Sequence, residues 1–172
     1  MKSAYPGNKT KAFRQIKKKG SKMDFFNLKL SEKVGNIFEY AVIKQGIDVY
    51  TFTNYWVESD TFLALLEWDV ALVSQAPTYI YAKFLDEIQA AGKILKYSFC
   101  EEFPECIYWV GYVLTYWCLR DDITWKELQT KCDISHIIEN CFVYHTVGVN
   151  TAIDMIQEEC STREGVKRHG KD

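Results

Sequence analysis

From Cys106 to Leu119 the chain runs for 14 residues without a charge. Wound at about 100° per residue, Ile107, Tyr108, Trp109, Val110, Tyr112, Val113, Leu114, Tyr116 and Trp117 leave almost no polar face, and Pro104 suits the first turn. A helix that is apolar all round must be covered on every side. It is also shorter than the roughly 20 residues that span a bilayer. The stretch to about Arg120 therefore predicts the buried central helix of a bundle. Gly111 in its middle costs stability relative to alanine, which predicts close approach of another helix there.

The remaining chain has the material to cover such a helix. Of 172 residues, 48% are apolar and 15% aromatic, enough for a core without staples, and only 9 Gly and 3 Pro argue against a turn-rich sandwich or barrel. Apolar spacing is helical almost throughout. Ser31 predicts the cap of a helix carrying Val34, Ile37, Phe38, Ala41 and Val42, ending at Gly46. Asp48 predicts a second, with Val49, Phe52 and Trp56 on one face, and Ser59 or Asp60 a third, with Phe62, Leu63, Leu65 and Leu66. Pro77 opens a longer one with Ile80, Phe84, Leu85 and Ile88 inward and Gly92 past its end. Thr124 and Glu127 form a capping box leading to Lys131. Ser135 is expected to cap a short segment through Asn140, and Asn150 the last helix, with Ile153, Ile156 and Cys160 inward. Cys141 to Val147 alone is ambiguous between helix and strand. The expected fold is all-α, a single-domain bundle of about seven short helices around an aromatic-rich centre.

Charge divides the chain. Residues 1–22 hold eight basic side chains and no acid, which leaves thirteen basic residues against all 23 acids in 23–172, a formal charge of −10. The basic leader reads as a disordered extension, or as an arm for nucleic acid centred on Lys17, Lys18 and Lys19. A third reading is more economical. Lys-Lys-Lys-Gly-Ser-Lys before Met23 can be encoded by a purine run containing AAGGA, the form of a bacterial ribosome-binding site, so Met23 is expected to be the true start. The domain is expected over 23–162, with a charged tail over 163–172. The leader lacks the apolar core of a secretory signal. Six cysteines without a C-x-x-C pair are expected to be reduced, mostly buried thiols in a cytoplasmic protein.

Motifs for catalysis are missing: no phosphate loop, no dinucleotide glycine fingerprint and no nucleophile elbow occurs. Cys132, His136, Cys141 and His145 invite a zinc hypothesis, but their spacing resembles no common structural zinc site, and no metal or cofactor is expected. Cys141 with His145 as a thiol–imidazole pair lacks an orienting third group. Glu101, Glu102 and Glu105 precede the central helix or open it, and Asp121 and Asp122 follow it. Such acids form a solvated face that can also select a basic protein partner. Trp125, first in its capped helix, is expected to be an exposed anchor for that partner.

Phe38-Glu39-Tyr40-Ala41 with the Asp48 to Ser59 segment, then Tyr108-Trp109-Val110-Gly111-Tyr112, Tyr116-Trp117, Thr124-Trp125 and Tyr144-His145-Thr146, together resemble an uncharacterised bacterial family of small helical proteins. The resemblance covers about residues 31 to 156. It implies a gene neighbourhood of toxin–antitoxin type, beside an ADP-ribosyltransferase-like protein, and carries no activity. Members often have an Ile-Ala-Gly-Lys-Ser-Gly-like stretch where this chain reads Leu72 to Tyr81, so any contact made there by the family is not carried over. The function expected is a non-enzymatic regulator that neutralises a partner protein, as an antitoxin or as a phage-borne inhibitor of a defence system such as a CRISPR nuclease. Nucleic-acid binding through the basic arm is the alternative, and no membrane association is expected.

Overall fold

The computed structural model describes the backbone of residues 20–98 and 104–169, with side chains over 25–98 and 104–162. Ten α-helices follow one another: α1 Gly20–Glu39, continued by a π-helical turn Tyr40–Lys44, α2 Val49–Val57, α3 Asp60–Leu66, α4 Val70–Val73, α5 Pro77–Ala90, α6 Pro104–Asp121, α7 Trp125–Lys131, α8 Ile134–Glu139, α9 Cys141–Tyr144 and α10 Val149–His169. Among the described residues there is no strand, only an isolated bridge between Ile47 and Tyr97. The all-α class follows directly. The described residues form more and shorter helices than the seven expected, because α4 and α9 are single turns.

Local signals place most helix starts. Asp48 accepts from the Thr51 N–H at 2.8 Å, Ser59 from Phe62 at 3.0 Å, and Thr124 and Glu127 close a reciprocal capping box. Pro77 occupies the first turn of α5. Three starts differ from expectation. Ser31 lies inside α1, which begins eleven residues earlier; its hydroxyl donates to the Asn27 carbonyl at 2.7 Å, so a polar residue that can cap is consumed within the helix. Asp133, not Ser135, caps α8, accepting from the Ser135 N–H at 2.9 Å. The last helix begins at Val149, so Asn150 lies within its first turn.

The central crossing is α1 against α6, and two glycines make it possible. A Cβ on Gly111 would stand 2.5 Å from the Phe38 ring, and one on Gly35 would stand 2.9 Å from the Tyr108 carbonyl oxygen. Each glycine receives a large side chain of the opposite helix. As expected, α6 is covered nearly all round: Ile107, Trp109, Val110, Val113, Leu114, Tyr116, Trp117 and Leu119 are buried, with Tyr108 and Tyr112 left half-buried at one edge. Their rings continue with Tyr116 in a stack at i, i+4 and i+8, with centroids 6.1 and 6.2 Å apart. Burial in this ladder, then the neighbouring phenols, pushes the Tyr112 hydroxyl up to about 12.

On the other side of Phe38 lies an aromatic cluster. Phe38 meets Phe52 edge-on at 4.9 Å and Trp56 at 6.2 Å, and Phe84 closes on both of those rings. Phe38, Phe52, Trp56 and Phe84 are fully buried, so α1, α2 and α5 are tied together by rings whose burial contributes roughly 2–3 kcal/mol each. In α3, Phe62 and Leu65 face this core, whereas Leu63 is exposed and Leu66 half-buried, so its inward face is narrower than expected.

Candidate partner-binding surface

Helix termini decide where the surface side chains stand. Three helices end in the same reverse turn, with the N–H two residues past the cap returning to a carbonyl in the last turn: Lys93 to Ile88, Ile123 to Cys118 and Asp69 to Ala64. The residue at the bend must take positive φ. Gly92 does so at φ 65° at the end of α5, where nothing is strained. Asp122 takes φ 54° after α6, and Trp68 takes φ 58° after α3. A tryptophan there is a marked departure, since a bulky side chain in this region costs about 1–2 kcal/mol.

The acidic candidates do not form one cluster. Glu105 is exposed in the first turn of α6, and Asp122 is exposed just past its other end, about 25 Å away at 1.5 Å per residue. Glu101, Glu102 and Lys17, Lys18 and Lys19 lie outside the described residues. Asp121 is tied into the protein. It accepts from the Trp117 indole at 3.0 Å, from Arg120 Nε at 2.7 Å and from Gln157 at 3.4 Å, and Arg120 also reaches Asp154 at 3.2 Å. Burial raises the Asp121 pKa, but the hydrogen bonds and charge of Arg120 outweigh it and hold the carboxyl below its ordinary value. The residue locks α6 to α10.

Trp125 is not an exposed anchor. It is 5% exposed, and with Leu128 forms the i, i+3 stripe that α7 turns inward, with Cys132 buried in extended conformation just past the helix end. The capping box fixed where the helix starts, and the stripe, already present in the chain, fixed which side is buried.

The zinc constellation is not assembled either. Cys132 is joined to Cys160 in a disulfide, with Cα atoms 5.5 Å apart, correcting the expectation that all six thiols are reduced. Twenty-eight residues separate the two, so no local spacing announces the pair. Cys106, Cys118 and Cys141 are buried. Burial, reinforced by Asp121 and Glu127, pushes Cys118 up to about 12, which keeps it a neutral thiol rather than a nucleophile.

His136 is buried within a polar network. Asn140 Nδ2 lies 3.0 Å from His136 Nδ1, the phenol of Tyr144 lies 3.1 Å from Nε2, and that phenol donates to Glu159 at 2.7 Å. Glu159 Oε2 is itself 3.3 Å from Nε2. Asn140 donating to Nδ1 leaves the ring proton on Nε2, facing Tyr144 and Glu159. His145 instead directs Nδ1 at the Phe142 carbonyl, 2.7 Å away. Both histidines thus serve the α8–α9–α10 junction, and among the described residues no three His, Cys, Asp or Glu side chains are placed to hold a metal ion.

What the sequence reading missed is an apolar groove. Trp68, Val70, Val73 and Ser74 line a hollow of about 160 Å³ formed by α4 and the residues on either side of it. Phe26 of α1 stands edge-on to Trp68 at 6.1 Å, with Phe25 beside it at 5.9 Å. Val70 is 68%, Phe25 56% and Phe26 42% exposed, and the Trp68 indole nitrogen is buried without a hydrogen-bond acceptor. Adjacent phenylalanines at the head of a helix were the signal available.

Compared with known proteins, the chain matches no protein-family model, no curated protein and no solved structure. Among the described residues no helix is long and apolar enough to cross a membrane.

Proposed function

We propose that this chain is a non-enzymatic protein-binding regulator that restrains a basic partner. The partner is a toxin, or a defence nuclease whose nucleic-acid groove an acidic helical body can occupy. The observation that supports this is the evenness of the acidic surplus. Residues 23–103 carry twelve acids against six basic residues, and residues 104–162 nine against three. A field of one sign over a whole folded body speeds and selects association with the opposite sign. Among the described residues, Glu105 and Asp122 are the exposed members of the predicted set, and they contact such a partner at opposite ends of α6. The toxin–antitoxin neighbourhood implied by the family resemblance accords with the antitoxin form.

The experiment is affinity capture from the source organism with tagged chains 1–172 and 23–172, followed by mass spectrometry. One stoichiometric basic protein with both chains is expected, and Glu105→Lys with Asp122→Lys should lower its yield severalfold. Nucleic acid retained by the longer chain alone, and lost at moderate salt, would replace this reading with binding through residues 1–22.

A further inference from the structure

Along one edge of α6, Tyr108, Tyr112 and Tyr116 form a ladder whose hydroxyls no internal contact explains. The rings lie nearly parallel, at 19° and 1° between planes, with centroids 6.1 and 6.2 Å apart. A phenol withdrawn from water ordinarily finds a hydrogen-bond partner. None of these three hydroxyls makes a hydrogen bond among the described residues, although Tyr116 is only 4% exposed and the other two are half-buried. The phenols stand close enough together that Tyr116 and Tyr108 both act electrostatically on Tyr112.

The wall facing the ladder is α1, and it is acidic. Glu32 and Glu39, seven residues apart on that helix, both act on Tyr108, and Glu32 also acts on Tyr112. Glu105 is exposed three residues before Tyr108, on the same face of α6. The cations around this edge are already engaged. Lys29 donates to Glu32 at 2.6 Å and holds its ammonium over the Phe25 ring. Lys33 donates to the carbonyls of Val73 and Gln75, and Arg120, next in the four-residue spacing after Tyr116, is bound by Asp121 and Asp154. Glu39 is half-buried, and neither it nor Glu105 has a hydrogen bond or ion pair among the described residues. Two unmatched carboxylates are thus left beside three unbonded phenols.

Such an edge attracts cations. Guanidinium and ammonium groups donate to carboxylates and phenol oxygens, and they also rest favourably on tyrosine rings. The spacing adds a shape. Four helical residues rise about 6 Å, so a second helix with basic residues at i, i+4 and i+8 meets the ladder in register.

We propose that the edge Glu105–Tyr108–Tyr112–Tyr116, with Glu39 opposite, docks a basic helix of the partner protein, its arginines spaced at i, i+4 and i+8 along the phenols. This rests on the reading that the partner is basic, and it adds the place and form of the contact.

Two alanine-based peptides of equal length and charge test this by calorimetric titration of the full chain at low salt. One carries arginines at i, i+4 and i+8, the other at i, i+1 and i+2. The spaced peptide should bind the parent severalfold more tightly. Tyr112→Phe and Glu39→Gln should each erase most of that preference with helix content unchanged, whereas Tyr79→Phe, at an exposed phenol of α5, should keep it. Equal affinity for the two peptides overturns the proposal, leaving only the general attraction of an acidic body. A preference that survives both substitutions overturns it too, as does the absence of binding by either peptide. Affinity capture separates this surface from the regulator reading. A basic protein captured equally by the parent and by Glu39→Gln/Tyr112→Phe overturns the surface alone. Ladder-dependent peptide binding with no basic protein captured overturns the regulator reading and leaves the cationic-helix site.

Discussion

Gly111→Ala is the sharpest test of how the bundle is held together. The added methyl would lie 2.5 Å from Phe38 Cδ2, 2.6 Å from Cγ and 3.0 Å from Cβ. Carbon atoms rest about 3.5–4.0 Å apart, so the ring must retreat by about 1 Å. It has nowhere to go. Phe38 is fully buried, with Phe52 at 4.9 Å and Trp56 at 6.2 Å. Overpacking of this kind costs about 1–3 kcal/mol, and an overlap this deep belongs at the upper end. Alanine recovers about 1 kcal/mol of helix propensity over glycine, leaving a net loss of about 2 kcal/mol. Urea unfolding followed by circular dichroism should show the midpoint falling with an unchanged slope, and the melting temperature should drop by about 4–8 °C. Removing the obstructing ring with Phe38→Ala should couple favourably to Gly111→Ala by about 1 kcal/mol or more. A Gly111→Ala protein as stable as the parent, or more stable, would refute the close crossing. Strict additivity with Phe38→Ala would refute the choice of contact.

Other consequences are open to the same assays. Under oxidising conditions Cys132→Ser should lower stability by about 3–4 kcal/mol, the loop-closure value for a 28-residue separation, and a reductant should abolish most of the difference between variant and parent. Asp121 has its folded-state pKa lowered, so its contribution is present above the ordinary carboxylate value of 3.8 and lost as pH falls through the depressed one. Asp121→Asn should therefore be destabilised at pH 7 in urea titrations, by an amount that shrinks as the pH is brought below about 4. Tyr144→Phe removes the hydroxyl shared by Glu159 and His136 and should cost about 1–2 kcal/mol while leaving the helix content unchanged. Trp125→Ala should unfold the protein more readily, by about 3 kcal/mol or more, since the ring is core; an unaffected midpoint would return it to the surface.

What the chain determines by itself is the set of features that act within one helical turn. Asp48, Ser59 and Thr124 with Glu127 announce their helices because a cap bonds to an amide three residues on, wherever the helix later goes, and Pro77 announces its own because its fixed φ suits a first turn. Gly46 and Gly92 announce ends because the bend needs positive φ. The all-round apolar stretch of α6 predicts its own burial, and Gly111 predicts a close neighbour, because both are properties of one helix surface. Which neighbour arrives is decided only by the tertiary structure: Phe38 at Gly111, and Tyr108 answering at Gly35. The same holds for Cys132 meeting Cys160 and for Tyr144 meeting Glu159, pairs separated by 28 and 15 residues.

The candidate surface was less legible still. A carboxylate looks alike in sequence whether it is exposed, as Glu105 is, or bound into a network, as Asp121 is. An aromatic residue at the head of a helix looks alike whether it turns in, as Trp125 does, or out, as Phe25 does. Trp68 sits where glycine is the default, and no local rule places it there. Propensity and capping are short-range, so they are written in the order of the residues. Burial and pairing depend on which faces the whole chain brings together, and these exist only once α1 has crossed α6.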